Sequence, residues 1–403
     1  MKESPSTWLK LPFSKVAEVV TGTTPQTKIA EYYGGTIPFV TPGDLNAFSY
    51  IKSTSSSLTQ LGVSKARILP AESTMVCCIG SLGKVGFAGI ELVTNQQINS
   101  LIFDKDKVYP RYGFHFCKTL KPLLEQIAPN TTLPIINKSR FSEIEIPLPP
   151  LPEQKRIAAI LDKADALREH RRQAIAKLDE LLQSVFIDMF GDPVTNPKGW
   201  SQSILGDIAE VSSGAMKGRK FNGQQTVFKP YLRVANVQDS FLDLREIKLI
   251  EVAPNDVEKY RLKCGDVLMT EGGDPDKLGR GAIWSGEIAE CLHQNHIYKV
   301  RVNDQILKPE YLSALTGSEA GKRYFLRQAK QTTGIATINM TQLRKFPVSI
   351  PPLALQQQYI KSVNALNSLR RSLEKSHVKS QELFQSFQQR AFTGELFTQE
   401  GDV

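Results

Sequence analysis

The chain is one module written twice, and a fold has to satisfy both copies. Offset by 202 positions, Pro149-Pro150-Leu151, Gln154, Leu167-Arg168, Leu181, Gln183-Ser184 and Phe190 fall without a gap on Pro351-Pro352-Leu353, Gln356, Leu369-Arg370, Leu383, Gln385-Ser386 and Phe392. The same offset carries Ile136-Asn137 onto Ile338-Asn339. An offset of 192 carries Trp8, Ala17-Glu18-Val19, Gly22 and Pro38 onto Trp200, Ala209-Glu210-Val211, Gly214 and Pro230.

Each module runs from a tryptophan-led start through a variable part to a proline-rich stretch, and then into a long charged segment. The proline stretches are Ile146-Pro147-Leu148-Pro149-Pro150-Leu151-Pro152 and Phe346-Pro347-Val348-Ser349-Ile350-Pro351-Pro352. Proline lacks an amide donor and disfavours helix in the residue before it, so both read as extended lead-ins to a helix. Pro152-Glu153-Gln154 suits a first helical turn. Beyond it, Ile160, Ala164, Leu167, Arg171, Ala174, Leu178, Leu181 and Val185 alternate spacings of four and three, a heptad seam stopped by Gly191-Asp192-Pro193. The second copy places Tyr359, Leu366, Leu369, Leu373, Leu383 and Phe387 on that register, with serines at other seam positions. Two such helices at equivalent places predict an antiparallel coiled coil between them and a pseudo-twofold relation between the modules.

The variable parts differ in kind. Val16–Val20, Thr36–Val40, Met75–Ile79 and Asn99–Phe103 are short β-prone runs between Gly, Pro, Asn and Ser clusters, as are Ile208–Val211, Tyr231–Val234, Asp266–Met269 and Ile297–Val302. Pro110–Phe116 and Pro309–Leu312 open a shorter helix in each half. The expected fold class is α+β, with two globular domains of mainly antiparallel sheet joined by two long helices. The expected segments are 1–150, 151–191, 192–352 and 353–403.

With 403 residues and 41% apolar content the chain can bury enough surface to offset its entropy, which excludes disorder as its main state. Five cysteines, two of them adjacent, suit reduced thiols rather than a disulfide framework. Met1-Lys2-Glu3-Ser4-Pro5 lacks the apolar core of a signal peptide, and no apolar run approaches the ~20 residues that span a bilayer. The expected location is the cytoplasm, with no membrane partner.

Catalytic devices are scarce. Neither Gly83-Lys84 nor Gly321-Lys322 has the upstream glycine or following hydroxyl of a phosphate loop, and no G-x-S-x-G elbow is present. Lys198 follows Asn196-Pro197, where an amino-methyltransferase pocket needs proline and an aromatic. Cys291, His293 and His296 could touch one metal, but zinc wants four ligands and no further pair lies nearby in sequence. The reading is therefore of no catalytic residue and no metal.

A formal net charge of +9 spread over both halves points weakly to a polyanion. The paired loops Thr21–Pro25 and Ser212–Lys220 offer small residues that let amides approach phosphates, with Thr23 and Thr24 in the first and Lys217, Arg219 and Lys220 in the second. A second pair, Gly80–Gly86 and Gly272–Gly281, carries Lys84, Lys277 and Arg280. Base reading needs paired donors and acceptors or a fork of donors. Asn95, Gln96, Arg233, Asn236, Gln238 and Gln294 supply them, unless they cap their own loops, the commoner fate of asparagine.

These features together resemble the specificity subunit of type I restriction-modification enzymes. The resemblance rests on Pro147-Leu148-Pro149-Pro150-Leu151-Pro152-Glu153-Gln154-Lys155-Arg156-Ile157-Ala158, on Leu182-Gln183-Ser184-Val185-Phe186 and on the stretch from Gln385 to Leu396. Glu271-Gly272-Gly273-Asp274 and Gly279-Arg280-Gly281 are similar to loops of that family. The second helix start departs from the pattern, with Ala354-Leu355-Gln356-Gln357-Gln358 in place of Pro152-Glu153-Gln154-Lys155-Arg156. The resemblance implies two target recognition domains, each reading half of a bipartite site in double-stranded DNA. It also implies helices that set the gap and dock methylation (M) subunits, with restriction (R) subunits joining through the complex. S-adenosylmethionine, ATP and Mg2+ would belong to those partners and no cofactor to this chain. A coiled-coil scaffold with only nonspecific nucleic-acid contact is the alternative reading.

Overall fold

A computed structural model describes residues 8–45, 50–129, 133–273, 278–279, 281–332 and 335–396. They form two compact units, one of Met1–Ala174 with Leu373–Val403, the other of Ile175–Ser372. Each unit thus takes one globular part and a portion of both long helices, Leu151–Phe190 and Leu353–Thr393.

In the first unit, Leu9–Pro12 pairs antiparallel with Glu145–Leu148, the strand that leads into the first long helix. A one-turn helix, Phe13–Val16, turns the chain into Ala17–Thr21. That strand edges a five-stranded sheet, continued by Ile98–Phe103, Thr74–Cys77, Val85–Ala88 and Tyr50–Ile51. A smaller sheet is centred on Tyr33–Val40 and Leu92–Thr94. The second unit repeats the plan. Ser201–Ile204 pairs with Pro347–Ile350, Leu205–Ile208 makes the turn, and Ala209–Ser213, Ile297–Val302, Val267–Thr270 and Gly281–Ile283 form the main sheet. The smaller sheet is centred on Val227–Leu232 with Leu292–His293. All eight β-prone runs overlap strands, and the sheets are antiparallel except for short pairings such as Phe39-Val40 with Val93-Thr94. The fold is α+β.

The recurring residues recur because they carry equivalent bonds. Pro110 and Pro309 open the helices Pro110–Cys117 and Pro309–Gly317, where a missing amide costs nothing. From these helices Tyr112 donates to the carbonyl of Pro147 at 2.8 Å and Tyr311 to that of Ser349 at 2.9 Å. Asn137 and Asn339 each cap a short helix, accepting from the amides of Arg140 and Gln342.

Gln154 and Gln356 settle whether the two helix starts are equivalent. The Gln154 carboxamide accepts from the amide of Tyr109 at 2.8 Å and donates to the carbonyls of Lys107 and Pro149, each at 2.9 Å. Gln356 accepts from Lys308 at 2.8 Å and donates to Ile306 at 3.1 Å and Pro351 at 2.8 Å. Both side chains are buried and pin the helix start to its own globular part. The altered residues around Gln356 leave this pin untouched.

The helices run antiparallel within each unit, and the predicted seam is covered at Ile160, Ala164, Arg171, Ala174, Leu178 and Val185 and at Tyr359, Leu366, Leu373 and Phe387, all buried or half-buried; four of its leucines are not. Leu167, Leu181, Leu369 and Leu383 are exposed, whereas Ile157, Ala158, Leu161, Leu178, Phe186, Phe384 and Ala391 are buried. In the first unit the Arg168 guanidinium lies 4.4 Å from the centre of the Phe384 ring. In the second, Asp179 pairs with Arg370 at 3.2 Å, and the Tyr359 ring packs on Phe186 and Phe190. Polar Gln154, Asp165 and Gln356 are buried as well, on the face of each helix turned to its own globular part.

Asp165 belongs to an ionic cluster of the first unit. Arg111 and His115, on the helix Pro110–Cys117, both bond Asp162 of the long helix, His115 Nε2 at 2.7 Å. Lys118, which caps that shorter helix, pairs with Asp165, and Arg168 reaches Asp165 at 2.9 Å. Arg111 also lies over the rings of Tyr50, Phe87 and Phe114. Burial opposes ionisation of Asp162, yet hydrogen bonds from His115 and Arg111 hold its carboxyl down at about 2. Burial holds His115 below the ordinary histidine value, against the pull of Asp162. The aligned positions of the second module are Glu310, Ala314, Asn364 and Asn367, which cannot form such a cluster.

Candidate nucleic-acid interface

The sheet ends place the variable loops. In each unit one turn, residues 94–97 or 293–296, serves as a hub from which three other loops hang. In the first unit the amide of Thr23 donates to Thr94 at 2.9 Å, Asn95 donates to Val40 at 3.0 Å, and Cys78 donates to Gln97 at 2.8 Å. In the second, Ala215 donates to His293 at 2.8 Å, Gln294 to Leu232 at 2.9 Å, and Glu271 to His296 at 3.0 Å. The threonine or basic loop, the loop after the central strand and the glycine-rich loop therefore meet on one edge of each unit. Backbone bonds hold that edge, so side chains can differ between the copies while the platform stays the same.

Gly22 and Gly214 explain themselves at the hub. A Cβ on Gly22 would lie 2.1 Å from the carbonyl oxygen of Asn95, and one on Gly214 would lie 1.9 Å from that of His293. The amides of Gly22 and Thr23 donate to Ile98 and Thr94. These loops are thus seated on the sheet by their glycines, and those amides are not offered to a phosphate. Gly214→Ala is expected to lift the basic loop off the hub and lower the stability of the second unit by about 1–3 kcal/mol, read by denaturant unfolding.

The sequence-derived residues sort by what they touch. Thr23 is exposed, and Thr24 donates its hydroxyl to the exposed Gln96. Lys84 is exposed and reaches the carbonyl of Pro42 at 3.4 Å, tying the glycine-rich loop to the neighbouring one. Lys217, Arg219 and Lys220 are exposed; Arg219 pairs with Asp256 at 2.8 Å. Gln294 is half-buried at the hub. Arg233 is held by the Glu246 carboxylate at 3.3 Å and its carbonyl at 3.1 Å. Gln238 donates to Ala235 at 2.8 Å. Lys277 and Arg280 lie outside the described residues.

Asn95 and Asn236 do not fit the base-reading role. The Asn95 carboxamide donates to the side chain of Gln97 and accepts from its amide. Asn236, 3% exposed, accepts from the amide of Arg233 at 2.8 Å and donates to the carbonyls of Asp243 and Glu246. Both shape their loops, because a buried amide must satisfy its own polar groups. Cys291, His293 and His296 likewise do not converge. Burial pushes the Cys291 thiol up to about 12, and burial followed by the nearby Lys299 lowers His293 to about 4. His293 Nδ1 faces the carbonyl of Tyr260, and His296 Nδ1 lies 2.5 Å from Glu271. No group of three metal-ligating side chains occurs among the described residues.

Sequence reasoning missed Phe241 and Arg245, which stand 60% and 90% exposed beside the second edge. Their signal was a phenylalanine ahead of Leu242 and Leu244 in an otherwise polar stretch, with Arg245 closing it.

The family described as "Type I restriction modification DNA specificity domain" matches residues 5–179 and again 197–383. The type I restriction enzyme MjaIX specificity subunit of Methanocaldococcus jannaschii is 26% identical over 386 residues, covering 90% of this chain and 87% of that protein. The EcoKI specificity subunit of Escherichia coli K12 is 23% identical, over 72% of this chain and 67% of its own length. Among solved structures, a chain from a study of assembly and conformational transition of a type I R-M system superposes with a TM-score of 0.61 at 18% identity, covering 98% of this chain and all of that one. The S subunit from M. genitalium gives 0.57 at 16% identity, covering 97% and 98%.

Proposed function

The chain belongs to the type I restriction-modification DNA specificity family, and from that premise we propose that each unit reads one half of a bipartite site in double-stranded DNA. The observation that carries this is the four-loop edge, built by equivalent bonds in both units and dressed with different side chains in each. A common platform with different loops is what two half-sites of different sequence require. The chain does no chemistry. It directs adenine methylation, or cleavage, by M and R subunits that carry S-adenosylmethionine, ATP and Mg2+, in the cytoplasm.

The two long helices set the spacing of the half-sites and dock the M subunits. Exposed leucines support the docking. The first unit presents Leu167 and Leu383, the second Leu369 and Leu181, and the 202-residue offset relates each to its counterpart. The same apolar pair offered twice suits two copies of one partner.

Mapping modified adenines in genomic DNA, with and without this chain, tests the reading. The expected result is a two-part motif with an unspecified gap of fixed length. Exchange of the loops of the second unit then changes one part of the motif only. With the M complex, Lys217→Ala and Lys220→Ala together weaken binding to all sequences alike and flatten the slope of log K against log salt by up to about 2. Binding insensitive to both salt and sequence would instead favour the scaffold.

A further inference from the structure

Phe241 sits in a loop that the base-reading residues do not explain. It lies beside the Asp239-Ser240 tip of a closed turn, whose flanks Val237 and Leu242 form an antiparallel bridge. The Gln238 amide donates to the Phe241 carbonyl at 3.0 Å, and Ser240 takes a left-handed φ of 66°. At the base of the turn the Asp243 amide donates to Asn236 at 2.8 Å, and the buried Asn236 carboxamide returns a bond to Asp243 at 2.7 Å. The tip is tied to the end of the glycine-rich loop by Ser240, which donates to Gly281 at 3.0 Å. These bonds hold the backbone at this place, and the ring is 60% exposed.

The charges around the ring are matched. Asp239 faces Lys322 at 3.6 Å, and Asp243 is held by Arg245 at 2.6 Å. The two carboxylates two residues either side of Phe241 in sequence are therefore paired with cations, which lowers a barrier to a polyanion at this edge. A phenyl ring offers no hydrogen bond to a base edge. What it can do at a DNA interface is enter the stack, unstack one base step and kink the duplex.

Resting on the reading of this edge as a DNA interface, we infer that Phe241 is a wedge that inserts at a base step of the half-site read by the second unit. The bonded turn fixes the backbone that carries the ring before DNA arrives, so insertion orders little more than one side chain. The wedge would make this unit select for a deformable step as well as for base edges.

The test uses the complete complex with its M subunits and a duplex bearing the mapped motif, with 2-aminopurine at positions of the second half-site and a dye at each end. Wild type is expected to raise 2-aminopurine fluorescence at one step and to bring the dyes closer. Phe241→Ala should abolish both signals and weaken specific binding about tenfold or more, the scale of losing one base–aromatic stack. Its salt slope and melting temperature should be unchanged, since the ring carries no charge and lies outside the core. Phe241→Trp should restore the signals. If Phe241→Ala keeps the fluorescence change and the bend, the wedge is overturned while sequence-specific reading stands. If the variant fails only to bind the M subunits, the ring is a protein contact and the wedge is also overturned. If wild type itself shows no sequence preference, the reading of this edge as a DNA interface has failed instead.

Discussion

Replacing Asp165 by alanine is expected to cost the first unit about 3–5 kcal/mol, because it leaves Lys118 and Arg168 largely buried without their carboxylate. Hydrogen exchange, read peptide by peptide, should show the loss in the first unit alone. The aligned change in the second unit, Asn367→Ala, should cost no more than about 1 kcal/mol, since that position is half-buried and carries no charge. Equal losses from the two changes would mean that the ionic cluster adds nothing to ordinary packing.

The same cluster sets a pH dependence whose sign is fixed by both of its shifted groups. Asp162 is held at about 2 in the folded chain, so the stability it contributes is full above the unfolded carboxylate range and is lost as pH falls toward 2. His115 is held below its ordinary 6.5, so its contribution is full above that value and declines as pH falls below it. Both act in one direction. The first unit should open before the second from about pH 6 downward on this account, unless His293, lowered to about 4 by burial, opens the second unit in the same range. Asp162→Asn separates these outcomes, since it should flatten the acid limb of the first unit only.

The glutamine pins give the second large effect. Gln154→Ala removes one acceptor and two donated bonds at once, leaving the amide of Tyr109 and the carbonyls of Lys107 and Pro149 to find new partners. An unsatisfied buried group costs about 1–3 kcal/mol, so a loss of about 3 kcal/mol or more is expected in the first unit. Gln356→Ala should match it in the second. A Gln→Glu change at either site restores the shape but loses both donors and brings in a buried carboxylate, so it should be no better than alanine at neutral pH. Thermal unfolding of the four variants checks the ranking.

Why these glutamines were legible, and other features were not, follows from how each residue acts. Gln154 and Gln356 appear in the repeat because each makes three bonds that no other side chain at that place can make. The strands were legible because short runs rich in Val, Ile, Phe and Tyr lie between clear turn residues. The helix seam was legible from its alternating spacing of four and three, except at four leucines. Leu167, Leu181, Leu369 and Leu383 are exposed, and a second buried line, through Gln154, Asp165 and Gln356 against the globular parts, is hidden in the sequence by its polarity. At the interface, the loop pairs were legible as repeats, but their glycines answer to the carbonyls of Asn95 and His293, an approach that exists only once the sheet has formed. Asn236 and Gln294 look alike as sequence. Only the folded loop separates the one that holds the backbone from the one at the hub.

The composition of the units has a consequence for the order in which the chain is completed. The first unit includes Leu373–Val403, and its core contains Phe384 and Ala391 beside Tyr112 and Phe116. A ribosome makes Tyr112 long before Phe384, so the first globular part waits through the synthesis of the whole second unit for this covering. The second unit has no such delay, since Ile175–Ser372 is contiguous. A transcript interrupted before codon 373 would therefore release a finished second unit joined to a first unit with its aromatic face bare, a product marked for aggregation or proteolysis.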